Sequence, residues 1–291
     1  MSAISNRISV IIVTHNSMPL LRDCLSSLKA AGRNIDYNIV LVDNNSADLS
    51  PSVARTLFPN MKILINRENL GFAAACNQGA AAADGEFLLF LNPDVRVDED
   101  GIENLQAVFS AKDRIGWATA RLRYPDGTFQ PTCRRMPAVH NILFSRGSFF
   151  GSLMGGGRSS RTNRYTLPDY LDTTIVDAVS GTMVMIRRNL FSRVGGFDER
   201  FFMYMEDTDL SLRLTEAGYV NVFVPDAGGV HFWRRGSNAG RVRRIWYHHC
   251  SMWKYFRKHF HGRFLLVLLS LLLGVNFVLA VLFQRPSRTG Q

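Results

Sequence analysis

Two hydrophobic periods alternate along the first third of the chain. The run "ISVIIVTHN" (Ile8–Asn16) is a β-branched strand that stops at polar residues. Leu20, Leu21, Cys24, Leu25 and Leu28 then recur at helical spacing. "NIVLVDNNS" predicts a second strand ending in an Asx/Ser turn at Asp43–Ser46, and "KILIN" a third. "GFAAACNQGAAAA" predicts an Ala-rich helix behind a Gly-opened turn, and "EFLLFLNPD" a fourth strand. Strands alternating with helices of this length predict an α/β domain with a largely parallel central sheet and right-handed crossovers. Such sheets bind ligands at the carboxyl ends of their strands. Thr14-His15-Asn16, Asp43-Asn44-Asn45 and Asn92-Pro93-Asp94 all fall at such ends, so the polar residues are expected on one rim.

After "IGWATARLRYPDG" the periodicity dissolves, and Gln130 to about Tyr170 reads as either a disordered excursion or a functional lid. Pattern returns at "IVDAVSGTMVMIRRNL". "DTDLSLRLTEAGY" places Leu210, Leu214 and Ala217 at helical spacing, and the strand "VNVFVPD" follows. There are no internal repeats. Phe264–Phe283 carries no charge and has roughly the ~20 residues of a bilayer-spanning helix. Its upstream flank "WKYFRKHFHGR" mixes basic and aromatic residues as an interfacial segment does. The expected organisation is a catalytic domain over 1–240, a basic-aromatic juxtamembrane segment over 241–263, a transmembrane or membrane-embedded helix over 264–283, and a tail over 284–291.

Composition narrows the partners. A net charge of +10 and a pI near 9.8 suit nucleic acid, an anionic membrane face or phosphate-bearing substrates. Cys24, Cys76, Cys133 and Cys250 form no C-x-x-C pair, which argues against a zinc ribbon or disulfide framework and fits a reducing compartment. The N-terminus shows no apolar signal-peptide core, so none is expected.

Four constellations could carry chemistry beside "FLNPD". In "MEDTDLSLRL", helix-start electrostatics explain Asp207 as an N-cap and Asp209 as an i+4 partner of Arg213. Glu206 stays unexplained beside the apolar run Phe201–Met205, and adjacent carboxylates in such a setting suit a general base. In "DNNSAD", turn chemistry accounts for Asn44–Ser46, while Asp43 sits at the strand end where it can accept hydrogen bonds from a base or ribose. "NRENLGFAAACNQG" has neither a dinucleotide fingerprint nor a Walker lysine, yet Gly71 permits close backbone approach at a helix N-terminus. In "GGVHFWRRGSN", His231 precedes a run of arginines (Arg234, Arg235, Arg241, Arg243, Arg244) that suits lipid headgroups or a bound diphosphate.

Taken in order, "VIIVTHN", "VLVDNNSAD", "NLGFAAACNQG", "FLNPDV", "GTMVMIRR", "GGFDERFFMYMEDTDLSLR" and "VHFWRRGS" resemble the family 2 glycosyltransferases of GT-A fold, and among them the rhamnosyltransferase-like branch of bacterial surface-polysaccharide synthesis. The resemblance spans roughly Ile8 to Ser237. It implies a Rossmann-like, mostly parallel but mixed sheet flanked by helices, a nucleotide-diphosphate sugar donor (dTDP- or UDP-linked), Mg²⁺ or Mn²⁺, and inverting transfer to a lipid-linked or glycan acceptor. The basic flank of the apolar segment favours a catalytic domain facing the cytosol at the cytoplasmic membrane, and a membrane surface but no nucleic acid is expected as partner. Carried over position by position, Thr14, Asn16, Asp43, Asn69, Gly71, Phe72, Asn77 and Asn92 would line the nucleotide-sugar pocket. Asp94, in the place of the second Asp of the family's Asp-x-Asp, would hold the metal with His231. Asp207 would be the base, with Glu206 as the alternate, and Gly181, Thr182 and Asp198 would shape the acceptor side. Asn92 departs from the family's first Asp and leaves a less negative cation site. The competing expectation is a degenerate domain that uses its basic face for anionic lipid or nucleic acid.

Overall fold

The computed structural model describes residues 7–111, 114–138, 171–232, 240–260 and 262–283. The aperiodic stretch 139–170 and the arginines 234 and 235 lie outside the described residues.

The first half follows the expected βαβ rhythm. Strands β1 (Ile8–Thr14), β2 (Tyr37–Asp43), β3 (Lys62–Ile65) and β4 (Phe87–Leu91) are parallel neighbours, in the order β3-β2-β1-β4. Helices α1 (Leu20–Ala31), α2 (Ser50–Leu57) and α3 (Phe72–Ala82) connect them. Apolar residues point from both faces of β1 and β4, so these strands are buried throughout, as central parallel strands must be. Leu21, Cys24, Leu25 and Leu28 of α1 cover one face, and Ala73 and Cys76 of α3 the other.

The second half departs from a parallel sheet. After β5 (Val95–Val97) and α4 (Gly101–Ala111) comes β6 (Ile115–Arg123), with short β7 (Phe129–Gln130) and β8 (Cys133–Arg134). Then follow β9 (Thr174–Val176), β10 (Ala178–Val179), β11 (Met183–Arg187), helices α5 (Arg188–Arg193) and α6 (Glu206–Glu216), and β12 (Val220–His231). β11 lies antiparallel between β4 and β6, and the order continues β11-β6-β12-β5. The sheet is therefore parallel on one side and mixed on the other. β11 directly follows the short β10 and runs back alongside β4 in the opposite direction. β12 also outruns the expected "VNVFVPD": it shifts register between Val224 and Gly228, then continues antiparallel to β5 as far as His231.

The C-terminal part forms two helices, α7 (Arg241–His259) and α8 (Arg263–Phe283). The segment expected as a juxtamembrane linker is thus mostly helix. Among the described residues no helix is long and apolar enough to cross a membrane, so the expected span over 264–283 finds no support. The use made of α8 gives the physical reason. Leu269, Leu273 and Ala280 are buried, the two leucines in a cluster with Met252, Tyr255 and Phe256 of α7. The buried Asn276 amide meets His249 Nε2 at 3.0 Å. The opposite stripe, Val267, Leu271, Val275, Val278 and Leu282, stays exposed.

Candidate functional site

Backbone geometry at the rim gathers the strand ends. Asn44 N donates to Thr14 O (2.8 Å), and Asn66 N donates to Asp43 O (2.9 Å). The Asn66 amide bridges Asn44 Oδ1 and Gln78 Oε1, each at 2.8 Å, tying the ends of β2 and β3 to α3. Thr14 and Asp43 are register partners, both buried. Asp43 Oδ2 accepts from Ser46 N at 3.0 Å, while Asp43 Oδ1 and Thr14 Oγ1 have no hydrogen-bond partner among the described residues. A buried acceptor and a buried hydroxyl side by side, both unspent, suit the polar edge of a ribose or base, since such groups otherwise cost about 1–3 kcal/mol each.

Other expected pocket residues spend their side chains on architecture. Asn16, with φ of 55°, takes Ala47 N on its Oδ1 (2.7 Å) and gives its own N–H to Ser46 Oγ (2.9 Å), stitching the two rim loops. Asn69 Oδ1 accepts from Gly71 N at 3.0 Å, and the Asn44 amide donates to Gly71 O at 3.0 Å. Gly71 has φ of 87°, and a Cβ there would meet Phe202 O at 2.5 Å, so glycine is required. Phe72 packs edge-on to Phe197 at 6.1 Å. Asn77 lies on α3 with both ends occupied: it donates to Phe197 O (2.8 Å) and Glu199 Oε1 (2.9 Å) and accepts from Phe197 N (2.9 Å). It latches the 197–199 loop to α3.

Asp94 follows β4 across Pro93 and is buried. Because β5 pairs with β12, His231 stands opposite Val95, which brings its Nε2 to 3.2 Å from Asp94 Oδ1. His231 Nδ1 lies 3.0 Å from Gln130 Oε1 on β7. With the Nδ1 proton donated to that oxygen, Nε2 and Asp94 Oδ1 converge as two lone-pair atoms, a spacing that a shared proton or cation accommodates. Gln130 carried no signal in the sequence, where it is one polar residue at the edge of an aperiodic stretch. Among the described residues no group of three or more His, Cys, Asp or Glu could hold a metal by itself. A cation here would therefore draw its remaining ligands from phosphate oxygens and water, the usual arrangement for Mg²⁺.

A short backbone path joins this acid to the second one. Asn92 N donates to Thr182 O at 2.9 Å, and the neighbouring Gly181 N donates to Asp207 Oδ2 at 3.2 Å. Antiparallel pairing of β11 on β4, Met183 opposite Leu91, sets this juxtaposition. Thr182 Oγ1 lies 2.9 Å from Ser180 Oγ, and a Cβ on Gly181 would sit 3.6 Å from both Asp207 and Phe72. Helix α6 opens with Glu206 itself. Its N-cap is Met205, with φ of 68°, so Asp207 lies inside the first turn and is not the cap. Asp207 Oδ1 accepts from Thr208 N at 2.7 Å. Glu206 is buried and its Oε2 has no hydrogen-bond partner among the described residues. Burial, then the negative charge of Asp207, push the Glu206 carboxyl up to about 8. Glu206 thus holds its proton at neutral pH, as a carboxyl buried beside another acid does.

Asp198, expected on the acceptor side, is bound by Arg200 and by Lys258 Nζ of α7 at 2.8 Å. The Arg200 guanidinium, then Lys258, hold its carboxyl well below the usual carboxylate range. It anchors a loop to α7. The expected Asp209–Arg213 pair is present at 2.8 Å, and Arg213 also caps the carbonyls of Val194 (2.6 Å) and Gly196 (2.7 Å).

Comparison with known proteins agrees with this geometry. The model of "Glycosyl transferase family 2" matches residues 9–195, and that of "Glycosyl transferase family group 2" matches 138–284. The chain is 32% identical, over 87% of its length and 85% of the relative's, to N-acetylglucosaminyl-diphospho-decaprenol L-rhamnosyltransferase of Mycobacterium tuberculosis. It is 25% identical to rhamnosyltransferase WbbL of Escherichia coli, covering 86% of this chain and 92% of that one. Among solved structures, a mannosyltransferase of Pyrobaculum calidifontis in complex with GDP-Man and Mn²⁺ superposes with a TM-score of 0.58 at 21% identity, over 94% of this chain and 72% of that one. Residues 1–349 of S. aureus TarS in complex with UDP-GlcNAc give 0.56 at 15% identity, over 96% and 74%.

Proposed function

The chain belongs to the family 2 glycosyltransferases, and on that premise we propose that it transfers rhamnose, with inversion, from a nucleotide-diphosphate donor to a lipid-linked glycan acceptor in bacterial surface-glycan synthesis. It is a glycosyltransferase of GT-A-like fold. The observation that carries the site assignment is the path Asn92–Thr182–Gly181–Asp207, which ties the strand end two residues before Asp94 to an acid on a different element. Inverting displacement needs that division: one centre neutralises the departing diphosphate, and the other takes the acceptor's proton on the opposite face.

In this reading Thr14 and Asp43 hold the ribose or base, with Asn16, Asn69 and Gly71 fixing the shape of their loops. Asp94 and His231 would hold Mg²⁺ or Mn²⁺, which when bound supplies Lewis-acid neutralisation of the leaving diphosphate. Gln130 fixes the His231 ring. Asp207 accepts the hydroxyl proton, while Glu206, protonated at neutral pH, keeps the second charge out of the pocket. Rhamnose and the polyprenyl-diphosphate acceptor class are supported by the mycobacterial relative's 85% coverage. Membrane-surface attachment is supported by the exposed apolar stripe of α8, too large to leave in water without a partner.

A thermal-shift panel of dTDP-rhamnose, UDP-N-acetylglucosamine, UDP-galactose and GDP-mannose, each with and without Mn²⁺, tests the donor. Binding to the folded state alone raises stability by about 2.7 kcal/mol at a hundredfold excess over Kd. Selective, Mn²⁺-enhanced stabilisation by dTDP-rhamnose is expected, and equal response to all four donors would overturn the donor assignment.

A further inference from the structure

Asp209 is a fully buried carboxylate two residues beyond the proposed base, and nothing in the transfer chemistry uses it. Three cationic or N–H donors converge on it. Arg213 Nε of its own helix lies 2.8 Å from Oδ2, while Lys258 Nζ and His259 Nε2, both at the end of α7, lie 2.6 and 2.7 Å from Oδ1. A buried carboxylate is tolerated only with such compensation.

The same face of α7 grips the loop that leads into the catalytic turn. Lys258 also reaches Asp198 (2.8 Å), Lys254 Nζ donates to Arg200 O (2.6 Å), and Ser251 Oγ donates to Met203 O (2.8 Å). Phe201 and Met205 share an apolar cluster with Met252, Tyr255 and Phe256 of α7 and Leu269 and Leu273 of α8. Between these attachments, Tyr204 and Met205 take φ values of 70° and 68°, a left-handed conformation that non-glycine residues adopt only when their surroundings enforce it. The backbone strain immediately ahead of Glu206 is therefore sustained by the helical hairpin.

We propose that Asp209 is a positioning residue: through Lys258 and His259 it clamps the α7–α8 hairpin to the first turn of α6 and so sets where the Asp207 carboxylate stands over the acceptor. This rests on the reading of Asp207 as the base. It makes the hairpin a working part of the active site, and not only an attachment to the lipid surface. Thr14 and Asp43 lie on the parallel half of the sheet, and the gripped loop reaches the donor side only where Phe202 O accepts from Phe72 N at 2.9 Å.

The test is steady-state transfer from dTDP-rhamnose to a short-chain prenyl-diphospho-N-acetylglucosamine in detergent micelles, using full-length Lys258→Met and Lys258→Arg. Lys258→Met is expected to lower kcat on the order of 10- to 100-fold, because displacements of an ångström at a catalytic group cost that much. Donor KM should change far less than kcat, the thermal midpoint should fall because a buried ion pair is broken, and kcat taken per folded enzyme should be restored by Lys258→Arg. An unchanged kcat in Lys258→Met, or a loss that only tracks the folded fraction, overturns the proposal. If Lys258→Met does not fold, His259→Ala removes another donor to the same oxygen and carries the same expectation and refutation. Asp207→Asn run alongside separates the two ideas, since retained turnover there defeats the base assignment whatever the clamp variants do.

Discussion

Replacing Glu206 with Gln distinguishes the two members of the acidic pair. In the folded protein the Glu206 carboxyl titrates near 8, against an ordinary value of 4.5. Between those limits the unfolded chain has lost this proton and the native state still holds it. Stability therefore falls as pH rises, by about 1.4 kcal/mol per unit. The contribution is whole below pH 4.5 and gone above about 8, roughly 5 kcal/mol across the window if the burial is fully expressed. In a chain of this size each kcal/mol moves the thermal midpoint by about 2–4 °C. Glu206→Gln keeps the neutral shape and has no proton to lose. Calorimetry from pH 5 to 8.5 should show the wild-type midpoint falling relative to the variant by about 10 °C or more. Turnover gives the second half of the test. At pH 7 Glu206→Gln should retain kcat within about threefold, whereas Asp207→Asn should lose the 10²- to 10⁴-fold typical of a missing general base. Parallel midpoint curves for wild type and Glu206→Gln, together with a Glu206→Gln enzyme as inactive as Asp207→Asn, would refute this division of roles.

Gly71→Ala places a Cβ against the Phe202 backbone in a conformation reserved for glycine, so a loss of about 2–4 kcal/mol and a weaker donor complex are expected by denaturant titration and donor KM. Asp94→Asn should cut kcat/KM at least about 100-fold. It should also abolish the Mn²⁺ enhancement of donor binding in the thermal-shift panel, and an unaltered enhancement would remove Asp94 from the metal site. The double change Leu271→Glu and Val275→Glu, on the exposed stripe of α8, should release the protein from sedimented anionic vesicles while leaving its thermal midpoint near wild type. Equal sedimentation would assign membrane attachment to another surface.

Much of the parallel half was readable from the chain because each strand and helix there carries its own local period. "VIIV", "IVLV" and "FLLFL" are uniformly apolar because both faces are covered, and the polar residues after them mark the ligand-binding rim. The rim positions of Thr14, Asp43 and Asp94 were legible for that reason, and the place of Glu206–Asp207 at a helix start was legible from the pattern that follows it. β11 was less so, since its antiparallel place between β4 and β6 is decided by partners far away in sequence. Side chains such as Asn77 and Asp198 look available in the sequence. Only the folded chain shows them spent on Phe197 and Glu199, and on Arg200 and Lys258. The basic run of α7 concealed a helix whose last residues, Lys258 and His259, turn inward to the buried Asp209. The long apolar tail concealed the one buried amide, Asn276, that fixes it against His249.

The register shift within β12 between Val224 and Gly228 has a consequence for how this enzyme can be altered. Upstream of it the strand pairs with β6 to build the core, and downstream it lies between β6 and β5, which delivers His231 beside Asp94. Side chains along a strand alternate between faces, so one residue gained or lost after the irregularity would turn His231 to the far side of the sheet. Insertions ahead of it can be absorbed where the pairing is already broken. The irregular patch acts as an expansion joint, separating the tolerances of the core from the fixed distance between His231 and Asp94.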